Sequence, residues 1–172
     1  MAISAGLRST IVGVAEHNGT GGRFTQAAGA ALNGSIGYKV LDHVADLGVE
    51  IHAPSLEDLF VGAARALFDL LGTLESTRGS VVETIDIEGL DLVDLLHDWL
   101  SELLFRSAAR RRVFSEFRVC RLDSGHLRAE AVGEAFDPDR HSIEREIKAV
   151  TFHNLEIVEQ EREWRATVIF DV

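Results

Sequence analysis

Residues 38–52 read Tyr38-Lys39-Val40-Leu41-Asp42-His43-Val44-Ala45-Asp46-Leu47-Gly48-Val49-Glu50-Ile51-His52. Tyr38 to Leu41 is a short strand. From Leu47 the side chains alternate, with Leu47, Val49 and Ile51 on one face and Gly48, Glu50 and His52 on the other, as in a strand with one buried side. Between the two strands, Asp42-His43-Val44-Ala45-Asp46 packs two carboxylates and an imidazole into five positions before Gly48. A rigid element can hold such ligand-type side chains as a site. The plainer reading is a polar turn entering an edge strand, because Asp and Gly are common turn residues.

Pro54-Ser55 then breaks the pattern, and Ser55-Leu56-Glu57-Asp58 has the form of a capping box with Asp in place of Glu or Gln. Leu56, Leu59, Phe60, Ala63, Leu67, Leu70 and Leu71 recur every three or four positions, which predicts an amphipathic helix that Gly72 ends. Val81 to Glu88 alternates as a strand with Ile85 and Ile87 inward. Gly89-Leu90-Asp91 leads into a second helix with the stripe Leu92, Leu95, Leu96, Trp99, Leu100, Leu103 and Leu104. Its other side carries Asp94, His97, Asp98 and Glu102. Asp98 and Glu102, spaced i, i+4, repel one another. They read either as a solvated face or as a pair of which one touches a partner or orients a site. Arg110-Arg111-Arg112 suits the negative end of that helix.

Four strands complete the chain. Phe114–Leu122 and the return through Leu127, Ala129 and Ala131 flank a hairpin loop at Asp123-Ser124-Gly125. Asp137-Pro138 bars a helix. A long strand runs from Ile147 to about Val158, and the last one covers Trp164 to Val172. There Trp164, Ala166, Val168 and Phe170 share one face, and Arg165, Thr167, Ile169 and Asp171 the other. Helices and strands do not alternate strictly. The fold class is therefore α+β, with two amphipathic helices packed on a mostly antiparallel sheet.

The 172 residues suffice for one domain, and 46% hydrophobic with 26% charged is ordinary for a globular protein. No run approaches the roughly 18 apolar residues of a membrane span. The single cysteine, Cys120, excludes a disulfide framework and a cysteine-rich zinc site, and reads as a structural thiol. A net charge of −11 argues against holding nucleic acid unaided and suits metal ions or a basic partner. Residues 1–36 carry only Arg8, Glu16 and Arg23 among their Gly, Ala, Ser and Thr. They read as a disordered extension ahead of a domain at 37–172. The extension lacks the unbroken apolar stretch of a secretion signal, so a cytoplasmic location is expected. Its Gly19-Thr20-Gly21-Gly22 lacks the Gly-Lys-Ser/Thr ending of a phosphate loop.

Several segments together resemble the archease family. His43-Val44-Ala45-Asp46-Leu47-Gly48 is similar to that family's His-Thr-Ala-Asp-hydrophobic-Gly opening. Asp98-Trp99-Leu100-Ser101-Glu102-Leu103-Leu104 resembles its second-helix signature, with Ser101 where Asn is usual. Gly133-Glu134, Asp137-Pro138 and His141 resemble its central turn. Glu146-Ile147-Lys148-Ala149-Val150-Thr151-Phe152-His153 resembles its strand motif, with Phe152 where Tyr is common, and the Asp171-Val172 ending matches too. The resemblance covers Gly37 to Val172.

The resemblance implies a two-layer archease-like fold and a non-catalytic activator of an RtcB-type RNA ligase. Such an activator promotes the ligase's guanylylation and turnover in tRNA splicing or RNA repair. It also implies a divalent metal, calcium in the family, on Asp46, Asp171 and Val172. The donor chemistry agrees: two carboxylates and a main-chain or terminal oxygen suit Ca²⁺, Mg²⁺ or Mn²⁺. The alternative for these residues is an exposed strand end. His43, Asp98, His141, Lys148 and His153 are candidates for ligase contact, and none is assigned a catalytic role. Two other functions compete. One is a chaperone-like modulator of RNA-processing or RNA-modifying proteins. The other is a metal-dependent hydrolase with His43 or His153 as general base, for which no hydrolase motif is present.

Overall fold

The computed structural model describes residues 24–26, 36–42, 46–160 and 163–172. The elements run β1 (Phe24–Gln26), β2 (Gly37–Asp42), β3 (Asp46–Ala53), α1 (Leu56–Leu70), β4 (Val81–Glu88) and α2 (Leu92–Arg110). They continue β5 (Arg112–Leu122), β6 (His126–Ala135), β7 (Ala149–Gln160) and β8 (Glu163–Asp171). The strands form a five-stranded sheet in the order β1-β2-β3-β8-β7 and a three-stranded sheet in the order β4-β6-β5. Each described pairing is antiparallel. The α+β class thus holds, with one refinement. The strands divide between two sheets, because β4 pairs with β6 and the last strand inserts between β3 and β7.

Helix α1 starts where the capping pattern places it. Ser55 Oγ accepts from the Asp58 amide at 3.0 Å and donates to the Asp58 carboxylate at 2.8 Å. Gly72 ends the helix in the left-handed region, at φ +82°, where a side chain is strained. The predicted stripe Leu59, Phe60, Ala63 and Leu67 is buried, but so are Gly62, Ala64, Ala66 and Phe68. The reason is that α1 packs on β3 of the large sheet and on β5 of the small one. Gly62 keeps the large-sheet side close, since a Cβ there would lie 2.7 Å from Ile36 Cγ2 and 3.1 Å from Ile51 Cγ2, while the ring of Phe68 meets Phe114 and Phe117 of β5 on the small-sheet side.

Helix α2 opens on Asp91, whose Oδ1 accepts from the Val93 and Asp94 amides, each at 2.9 Å. Its predicted stripe from Leu95 to Leu104 is buried, and the helix packs on β7 and β4. Fully buried Trp99 donates its indole N–H to the Phe60 carbonyl at 3.1 Å, tying α2 to α1. Its ring meets Phe117 of β5 edge-on at 6.3 Å, and Phe68 of α1 meets Phe114 edge-on at 5.5 Å.

Some boundaries differ from the reading. β7 begins at Ala149, after Ile147 has already entered the core, and β8 stops at Asp171, leaving Val172 beyond the ladder. Within the expected extension, Phe24–Gln26 pairs with β2. The rest of residues 1–35, with the disorder expected there, lies outside the described residues. So do His43, Val44 and Ala45, and the side chain of Asp46.

Replacing Trp99 by Ala opens a cavity at the junction of both helices and β5. It is expected to lower unfolding stability by about 3–5 kcal/mol, as buried aromatic truncations do. Trp99→Phe should cost less, keeping most of the ring and losing the bond to Phe60. Urea denaturation of the three proteins checks the order.

Candidate functional site

Three strands meet where the sequence reading places a metal. The β3–β8 register pairs Asp46 with Asp171, and the β7–β8 register pairs Asp171 with Ala149. Alternation along β8 turns Ala166, Val168 and Phe170 into the core and leaves Asp171 exposed on the opposite face. Lys148 closes the end of this ladder: its amide donates to the Asp171 carbonyl at 2.8 Å, and its Nζ donates to the Val172 main-chain oxygen at 2.9 Å. Two acidic positions therefore face each other across adjacent strands, where like charges destabilise an antiparallel pair unless offset. A lysine ammonium sits on the neighbouring main-chain oxygen. Among the described residues, no three His, Cys, Asp or Glu side chains gather in metal-holding geometry. The donors that the sequence reading names, two aspartates and an oxygen of Val172, are hard oxygen donors, a chemistry that would suit a Ca²⁺-type ion and not zinc.

The remaining candidates separate. Lys148 joins Asp171 and Val172. His153 is exposed on β7 beside Asn154, which takes φ 53°. His141 is buried within its own turn: Nδ1 accepts from the Asp137 amide at 2.9 Å, and Nε2 lies 3.4 Å from Glu134 Oε1. Glu134 also receives Arg140 at 2.7 Å and the Arg78 amide at 2.7 Å. The bond from Arg140, then that from Arg78, holds the Glu134 carboxyl down at about 2. Arg140 likewise lowers the carboxyl of Asp137, at 2.9 Å. This cluster fixes a turn.

On α2, Asp98 and Glu102 have different partners. Glu102 meets Arg106 at 2.7 Å, Arg106 meets Glu83 of β4 at 2.8 Å, and Glu83 meets Arg112 at 3.0 Å. The repulsion expected of the pair is thus offset by Arg106. Asp98, half-exposed, meets His97 at 2.9 Å. The other ring nitrogen of His97 lies 3.3 Å from the Val150 carbonyl, and its ring stacks on Phe152 at 3.7 Å. Sequence reasoning did not single out His97 as a site residue; its adjacency to Asp98 was the available signal, and Phe152 lies too far along the chain to give one. The three arginines that looked like one basic run part company. Arg110 lies over Phe105, Arg111 over Phe136, and Arg112 pairs with Glu83. Cys120 is exposed on β5.

Residues 38–172 match the model of the Archease protein family. The chain belongs to the archease family. It is 40% identical over 138 residues to protein archease of Methanopyrus kandleri, covering 78% of this chain and 99% of that protein. With protein archease of Methanosarcina barkeri the identity is 37% over 139 residues, covering 78% and 95%. Among solved archease-like structures, protein 1598 of Methanobacterium thermoautotrophicum superposes with a TM-score of 0.66 at 32% identity, covering 78% of this chain and 98% of that one. An archease from Thermotoga maritima, described as a possible chaperone, shares the fold at a TM-score of 0.51 and 19% identity, covering 77% and 94%. The matched archease region takes in every described candidate residue and leaves out β1.

The depressed Glu134 carboxyl carries a pH signature. Its ordinary value is near 4.5 and its folded value about 2, so its contribution to stability is complete above 4.5 and fades as pH falls toward 2. Arg140→Ala removes most of that contribution at any pH. The gap in urea midpoint between wild type and variant should therefore be widest near neutrality and shrink steadily below pH 4.5. A gap independent of pH would rule out this linkage.

Proposed function

We propose that this archease is a non-catalytic, metal-binding activator of an RtcB-type RNA ligase. It promotes the ligase's guanylylation and turnover in tRNA splicing or RNA repair. The observation that carries the reading is the pairing of Asp46 with Asp171 beside Val172 and Lys148, in a chain of this family. Asp46, Asp171 and Val172 would hold a divalent ion, Ca²⁺ or one of its oxygen-seeking relatives. When bound, that ion supplies positive charge to an acidic strand end. The chain's own residues do the rest. The β3–β8–β7 ladder fixes the spacing of the two aspartates, and Lys148 anchors the Val172 oxygen.

The role is an accessory one. His141, the buried imidazole of the matched region, is committed to the Asp137 amide, and His97 lies between Asp98 and a main-chain carbonyl. Neither is free to act as a general base. The acidic balance of −11 suits a partner that binds RNA and GTP and so presents basic surface. Such a partner works in the cytoplasm, and among the described residues no helix is long and apolar enough to cross a membrane.

The test is guanylylation of a limiting amount of the cognate ligase, with and without this protein. Wild type should stimulate. Asp171→Ala should lose at least the roughly 10- to 100-fold that even outer-shell changes cost a metal site. Stimulation by both proteins would remove the metal from the mechanism. No stimulation of a competent ligase would favour a chaperone-like modulator of other RNA-processing proteins.

A further inference from the structure

A groove of about 550 Å³ lies between α2 and β4. Ile85 and Ile87 of β4 and Ser101 of α2 line it together with Asp86, Asp98, Glu102, Phe105 and Arg106. This size falls in the range of sites that take a ligand or a few side chains. Phe105 is half-exposed, although most large apolar side chains of the domain are buried.

The charges along the groove do not cancel equally. Arg106 is spent inside the structure: it is 13% exposed and bonded to both Glu83 and Glu102, and Arg112 completes a neutral quartet. Asp86 is met by His126 and, more loosely, by Arg128 at 3.7 Å. Asp98 is met by His97 alone among the described ion pairs, and half of its side chain faces solvent. The groove thus offers a half-exposed carboxylate met by one imidazole, a half-exposed phenyl ring that already takes the Arg110 guanidinium at 5.5 Å, and an apolar floor. A guanidinium answers all three. Its planar fork pairs with a carboxylate, its face stacks on an aromatic ring, and its alkyl stem covers apolar surface. A phosphate-bearing polymer would meet the same carboxylates as repulsion.

We propose that the α2–β4 groove docks an arginine-bearing segment of the RNA ligase, with the guanidinium on Asp98 and against Phe105. This rests on the proposed function for the identity of the partner. It adds a contact on α2 and β4 to the one proposed at the β3–β8 strand end. The ligase must neutralise RNA and nucleotide phosphates, so arginine-rich surface is what it has to offer.

The experiment measures the Kd of the intact protein for the cognate ligase, at fixed moderate salt, by titration calorimetry. Asp98→Asn and Phe105→Ala remove the two recognition elements, and Ser101→Trp fills the groove. Glu116→Gln, on the exposed face of β5, is the matched control for losing one negative charge. Each variant is first shown to melt like wild type. Asp98→Asn, Phe105→Ala and Ser101→Trp should each weaken binding at least about tenfold, and Glu116→Gln should leave it within twofold. Wild-type-like Kd values for Asp98→Asn and Phe105→Ala would overturn the groove and leave the ligase assignment standing. Equal weakening by Asp98→Asn and Glu116→Gln would also overturn it, reducing the effect to general charge. A wild type that fails to bind the ligase at all would overturn the proposed function, and this inference with it.

Discussion

The burial of α1 against two sheets at once is the constraint on which the rest of this structure depends. One wide leucine and phenylalanine face would satisfy a single sheet. The chain adds Gly62, which keeps the helix close to Ile36 and Ile51 of the large-sheet side, and Phe68, whose ring meets Phe114 and Phe117 of the second layer. The indole bond from Trp99 to the Phe60 carbonyl then locks α2 to α1. That bond satisfies a buried donor, and an unmade one would cost about 1–3 kcal/mol. With both helices fixed, α2 packs against both β7 and β4.

Charge is handled the same way, by networks and not by isolated pairs. Exposed ion pairs contribute little singly. Here Glu83, Glu102, Arg106 and Arg112 share partners across β4, α2 and the start of β5, with Arg106 and Glu83 mostly covered. Glu134, Asp137 and Arg140 do the same for the turn that ends β6. These networks consume most of the basic side chains near them. Among the exposed carboxylates outside these networks are Asp171 and Asp98, the latter met by His97.

The end of a strand is an unusual place for the site proposed here, since chain ends commonly fray. In this fold β8 is flanked on both sides, by β3 and by β7, and Lys148 bonds to both Asp171 and Val172. A side chain there has the positional precision that a site requires. Asp171 therefore sits on a held element, at the last position of β8.

Much was legible in the residues themselves, because local rules govern it. Ser55 and Asp91 cap helices, Gly72 ends one, and the period of Leu92 to Leu104 marks the buried face of α2. Alternation alone put Asp171 on the face opposite Phe170, and the motifs around Asp46, Asp98, Glu134 and Lys148 carried the family. What sequence could not supply is the pairing of distant elements. Backbone hydrogen bonds carry no label for their partner, so nothing local says that β8 enters between β3 and β7, or that β4 leaves the large sheet for β6. Nothing local says that His97 stacks on Phe152, or that Arg106 reaches Glu83. Those contacts exist only once α1 has been closed in from both sides. The groove at Asp98 is likewise a product of tertiary packing, formed where a helix and a strand from separate segments come to lie side by side.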